Sequence, residues 1–147
     1  MAVIWIWQLV YLLVFIIACS YAGWFGGWPE RCGAAIIVAG SLLSVIAANS
    51  FYPVWRTPEA GIFIVDLLVL AAFANLAFYS DRYWPLWATS FQLVAVLIHM
   101  ATLAQKLIGP AAYSHAQEFW AYPMIGAMVV GTRNHQRATR KVRAARY

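Results

Sequence analysis

Five apolar runs follow one another along the chain, separated by short polar breaks. They cover about 3–19, 33–50, 61–79, 84–106 and 115–132. A helix crossing the hydrocarbon core needs about 20 mostly apolar residues, so each run is of spanning length. The alternative spanning structure, a closed β-barrel, needs apolar and polar positions to alternate. The run Leu9-Val10-Tyr11-Leu12-Leu13-Val14-Phe15-Ile16-Ile17 does not alternate, and neither does 65–74. The pattern therefore predicts an all-α integral membrane protein, a bundle of five transmembrane helices with short loops and a basic C-terminal tail. The bundle has four helices if the first run is peripheral. As a domain plan, 1–132 is the bundle and 133–147 the tail.

The breaks carry turn chemistry. Thr57-Pro58-Glu59 supplies an N-cap, a proline at the first helical position and an acid in the first turn. Trp28-Pro29-Glu30 stands similarly before the second helix. Ser80 or Asp81 can cap the fourth, with Pro85 in its first turn. Gly109-Pro110 ends that helix, and Ser114-His115-Ala116-Gln117 fits a capping box for the fifth. Pro123 predicts a kink or distorted turn. The first run lacks a preceding Lys or Arg, so it reads as a mature helix and not as a signal peptide, although Ile16-Ile17-Ala18-Cys19 has the look of a lipoprotein cleavage site.

Composition supports this reading: 64% of the 147 residues are hydrophobic and 10% charged, against about 25% charged in soluble domains. Ordinary soluble enzymes, disordered chains and disulfide-rich secreted domains are excluded. The net charge of +5 is unevenly placed. Arg133, Arg137, Arg140, Lys141, Arg143 and Arg146 all lie in the tail, and the rest of the chain is almost neutral. Basic segments stay cytoplasmic, which puts the C-terminus inside and, with five spans, the N-terminus outside. Arg31 and Arg82 then fall inside, Arg56 and Lys106 outside. The expected location is a bacterial inner membrane. The tail continues directly from a span, so its expected partner is anionic lipid headgroups or a docking protein and not nucleic acid. Cys19 and Cys32 read as small buried residues.

Polar residues inside a membrane are candidates for function. Helix 4 carries Thr89, Gln92, His99, Thr102 and Lys106 on one stripe, which should face the bundle interior. Asp66 and His99 lie about 8–12 Å below the same surface on antiparallel neighbours, so they are expected to meet. Gln8, Asn49, His115 and Glu118 fall in the same outer half. The candidate ligand or ion site is therefore Asp66, His99, Gln92, Thr102, His115, Glu118, Gln8 and Asn49. His115-x-x-Glu118 shares one helical face, but no repeated ligand motif marks a metal site, and no catalytic motif of soluble enzymes is present. Gly40-x-x-x-Ser44 permits close helix approach. The aromatic residues near the run ends, Trp24, Trp28, Trp84 and Trp87 among them, read as an interfacial belt.

Ala95-x-x-x-His99 is similar to the Ala-x-x-x-His segment of light-harvesting polypeptides, in which the histidine ligates bacteriochlorophyll. The resemblance covers five residues of 147 and implies a tetrapyrrole on His99. No internal repeat divides the chain into transporter halves. The leading expectation is a non-catalytic small inner-membrane protein, an accessory or scaffolding subunit joined to a membrane-protein partner or to its own copies. The alternatives are binding or transport of a small molecule, ion or proton through the outer-half cluster, and binding of a pigment or quinone.

Overall fold

In the computed structural model, five helices account for nearly all described residues, in the order α1 (Ala2–Phe25), α2 (Trp28–Ser50), α3 (Pro58–Tyr79), α4 (Trp84–Ala104) and α5 (Pro110–Ala144). The structure describes residues 2–50, 58–104 and 110–146, with side chains for 9–48, 61–101 and 120–146. Consecutive helices pack antiparallel. α5 returns to pack on both α4 and α1, which closes the ring, and also reaches α2 across the middle.

Among the described residues three helices are long and apolar enough to cross a membrane: Trp28–Ala48, Gly61–Tyr79 and Trp84–Ala101. Leu9–Phe25 is a shorter apolar helix. The radial sorting of side chains agrees with a membrane protein. Much of the core is small, with Ala18, Ala22, Ala34, Ala47, Ala88 and Ala95 all buried, whereas Leu9, Leu13, Ile17, Leu42, Leu68 and Leu97 point outward. Between helices in lipid the hydrophobic effect gives little, because acyl chains are as apolar as leucine. Close backbone approach and interhelical hydrogen bonds do the holding instead. Gly40 illustrates the approach: a Cβ there would stand 2.6 Å from Cγ2 of Val69 on α3. The Gly40-x-x-x-Ser44 spacing thus serves the α2–α3 contact.

The elements differ from the sequence reading at three places. α1 runs to Phe25, and α2 starts at Trp28, five residues before the apolar run. Only Gly26 and Gly27 separate the two. α5 starts at Pro110, so Ser114-His115-Ala116-Gln117 lies inside the helix and not at its start. Pro110 takes the first helical position, where its missing N–H is harmless. The third difference is the largest. The segment read as a tail is the C-terminal part of α5, which continues through Pro123 to Ala144 over 35 residues. That length is roughly 50 Å. Arg133, Arg137, Arg140, Lys141 and Arg143 are all exposed on this extension, and Arg146 follows it.

Trp84 departs from the expected aromatic belt. Trp24, Trp28 and Trp87 are exposed, but Trp84 is buried at 5%. Its indole lies between Gly33 of α2 and Gly131 of α5, where an added Cβ at either glycine would collide with the ring. Phe73 meets it edge-on, with ring centroids 6.4 Å apart.

Candidate functional site

Asp66 projects from the middle of α3 toward α4. Its Oδ2 lies 2.8 Å from Nε2 of His99, so the pairing expected from matched depths is present. Gln92, two turns before His99 on the same face of α4, donates from Nε2 to Asp66 Oδ1 at 3.2 Å and to the Asp66 carbonyl at 3.3 Å. The stripe on α4 explains the convergence: positions 92 and 99 are seven apart, so both face α3. His99 is 1% exposed and Gln92 6%. Phe63 covers the imidazole, with centroids 6.0 Å apart. A carboxylate in hydrocarbon needs a proton or a partner; here two partners hold it in one orientation.

Asp66 and Gln92 border a cavity of 480 Å³ at the centre of the ring. All five helices line it: Tyr11 from α1, Ile37, Gly40, Ser41, Ser44 and Val45 from α2, Ile62 and Val69 from α3, Ala95 from α4, and Trp120, Ala121 and Met124 from α5. The volume falls within the range of small-molecule sites, as does a mostly apolar wall with a few convergent polar groups. His99 stands behind Asp66 and does not line the cavity, so its role toward any occupant passes through the carboxylate. Of the remaining candidates, the side chains of Gln8, Asn49, Thr102, His115 and Glu118 lie outside the described residues. Thr89 is turned to its own helix and donates to the Pro85 carbonyl at 2.7 Å.

A second polar cluster, missed in the sequence, closes the end of the bundle that holds the α1–α2 and α3–α4 turns. Glu30 is fully buried. Its Oε2 accepts the Gly27 N–H at 2.9 Å, and its Oε1 accepts the Trp84 indole N–H at 3.0 Å. Gly27 is the N-cap of α2, and its carbonyl accepts the first helical bond from Arg31 at 3.1 Å. Glu30 at the third helical position therefore makes the return half of a capping box, and its second oxygen ties that cap to α4. Next to it, Arg82 donates to Nδ1 of His135 on α5 at 2.8 Å, since a guanidinium can only donate. Tyr21 of α1 donates to Gln136 Oε1 at 2.9 Å. The cluster thus links all the helices that end there except α3, whose link is the turn: Ser80 Oγ accepts the Arg82 N–H at 3.1 Å. Sequence signals for it exist. Glu30 is an acid three residues after a glycine at a helix start, and His135 is the third histidine of the chain, masked by the tail charges around it.

No group of three His, Cys, Asp or Glu side chains is placed to hold a metal among the described residues. Axial ligation of a tetrapyrrole requires an accessible imidazole nitrogen. At His99 the ring is enclosed, so the geometry at this residue does not favour that group. Cys19 and Cys32 are free thiols and half-buried.

Compared with protein-family models, with curated proteins and with solved structures, the chain matches none.

Proposed function

We propose that this chain is a non-catalytic membrane protein that binds a small molecule in the central cavity, with Asp66 as the group that recognises it. The bilayer arrangement that goes with this reading has five spans, the N-terminus outside and the C-terminus in the cytoplasm of a bacterial cell. Basic residues on the extended end of α5, together with Arg31 and Arg82 at the same end, support that orientation.

The observation that carries the proposal is the cavity itself: 480 Å³ of space bordered by a carboxylate that two neighbours hold in place. Two of the polar groups on its wall, Asp66 and Ser41, are suited to accept. Asp66 is a carboxylate with about four lone-pair sites, and Ser41 spends its hydroxyl proton on the Ile37 carbonyl at 2.9 Å. The complementary ligand brings a donor, such as an amine or a hydroxyl, on an apolar body that fits among Ile37, Val69, Trp120 and Met124. His99 and Gln92 act as positioning residues.

Gentle detergent extraction followed by native mass spectrometry tests the reading. The wild-type protein should carry a small-molecule adduct. Ala121→Phe, which fills the cavity from α5, should lose it while keeping the helical circular-dichroism spectrum. An adduct equally present in both proteins would reject the proposal. The accessory-subunit reading draws on the exposed row Leu9, Leu13 and Ile17 of α1; it predicts instead a co-eluting protein in both samples and no adduct.

A further inference from the structure

Beside the central cavity, the bundle has an apolar groove on its outer surface, between α1 and α5. Its volume is 530 Å³, and it is lined by Val14, Ile17, Ala18 and Tyr21 on one side and by Tyr122, Ile125, Gly126, Val129 and Val130 on the other. Gly126 leaves it open: an added Cβ would meet nothing within 4 Å. The groove runs along α5 toward the basic extension. Stepping by three or four residues from Gly126 leads to Val130, then Arg133, then Arg137 and Arg140. At 100° per residue these positions form one stripe, on the side of α5 opposite the buried Met124, Met128 and Thr132. Tyr21 and Gln136, joined by their hydrogen bond, stand where the apolar wall gives way to the polar one.

We propose that this groove and the arginines above it form a binding site for one anionic phospholipid. An acyl chain lies along Gly126, Val129 and Val130, and the phosphate is held by Arg133 and Arg137. The charge pattern selects the occupant. A neutral partner would gain nothing from a row of guanidinium groups continuous with an apolar slot, and a free phosphate would gain nothing from the slot. Arg is suited to the task because its planar fork meets phosphate oxygens in pairs. The site shares with the proposed function the insertion of α1 and α5 in a bilayer, but it does not involve the central cavity.

The test is native mass spectrometry of the purified full chain, titrated with phosphatidylglycerol or with phosphatidylcholine of the same acyl chains. The wild-type protein should retain phosphatidylglycerol about tenfold better. The double variant Arg133→Gln/Arg137→Gln should lose most of that preference. Gly126→Leu, which blocks the slot at unchanged charge, should weaken retention of both lipids. Arg143→Gln/Arg146→Gln removes equal charge away from that stripe and should leave the preference as in wild type. Equal retention of the two lipids by the wild-type chain would overturn the proposal. So would wild-type behaviour of Gly126→Leu, or an equal loss of preference in both arginine pairs, which would indicate diffuse attraction to a basic helix. Circular dichroism and melting of each variant confirm that the fold is kept. Ala121→Phe should bind phospholipid normally, which separates failure here from failure at the central cavity.

Discussion

The two polar clusters of this bundle are built from similar residues and behave differently. At the turn end, Glu30 spends one oxygen on its own helix cap and the other on Trp84. It is enclosed completely, and its partners come from loops and helix ends. In the middle, among the described residues, Asp66 meets two side chains of one neighbouring helix, and the same residue borders an open cavity. The side chain of Asp66 keeps 18% exposure, its partner His99 2%. The first arrangement joins helices; the second presents a carboxylate to a space. A buried carboxylate in a membrane bundle is thus better judged by what its far side faces than by the number of its hydrogen bonds.

The sharpest break of this contrast is at Glu30. Glu30→Ala leaves the buried Trp84 N–H without its acceptor, an orphan that costs about 1–3 kcal/mol, and also removes the acceptor of the half-buried Gly27 N–H. In thermal or detergent unfolding this variant should lose more stability than a change at Gly131, Asp66 or Arg82. Next in size is Gly131→Ala, whose methyl must displace the Trp84 indole. Overpacking of this kind costs about 1–3 kcal/mol, and tryptophan fluorescence should report the displaced ring. Asp66→Asn belongs lower on the stability scale, because polar contacts between membrane helices are worth about 0.6 kcal/mol on average. Its ligand adduct should nevertheless disappear. If Asp66→Asn unfolds the protein as readily as Glu30→Ala does, both clusters are structural and the contrast fails. The smallest effect is expected from Arg82→Gln, which weakens one half-buried hydrogen bond to His135, by about 1 kcal/mol or less in unfolding.

Much of the central site is legible in the sequence, because a membrane reduces the problem to one dimension. Asp66 and His99 meet since two antiparallel helices with a four-residue turn must match residues of equal depth. Gln92 follows from the stripe on α4. The end cluster is less accessible to such reasoning. Glu30 and Trp84 are 54 residues apart, and each has an adequate local explanation, as a first-turn acid and as a belt aromatic. Only the facing glycines at 33 and 131 indicate that the indole points inward, and they lie on two other helices. The extension of α5 is hidden by charge, which marks the end of an apolar run and not the end of a helix. Residues 132–147 contain neither proline nor glycine, and Arg, Lys and Ala are good helix formers. The cavity is not legible, since it arises from the spacing of five helices and from no single motif.

The most direct measurement is a structure of the full chain in a lipid nanodisc, purified without added ligands. Ligand binding at the centre of the bundle predicts density that belongs neither to the chain nor to bulk lipid, between Tyr11, Trp120 and the Asp66 carboxylate, with a donor atom within hydrogen-bond reach of that carboxylate. A collapsed cavity with α1 and α5 packed against Asp66 would contradict it, as would a central space holding only an acyl chain that makes no contact with the carboxylate.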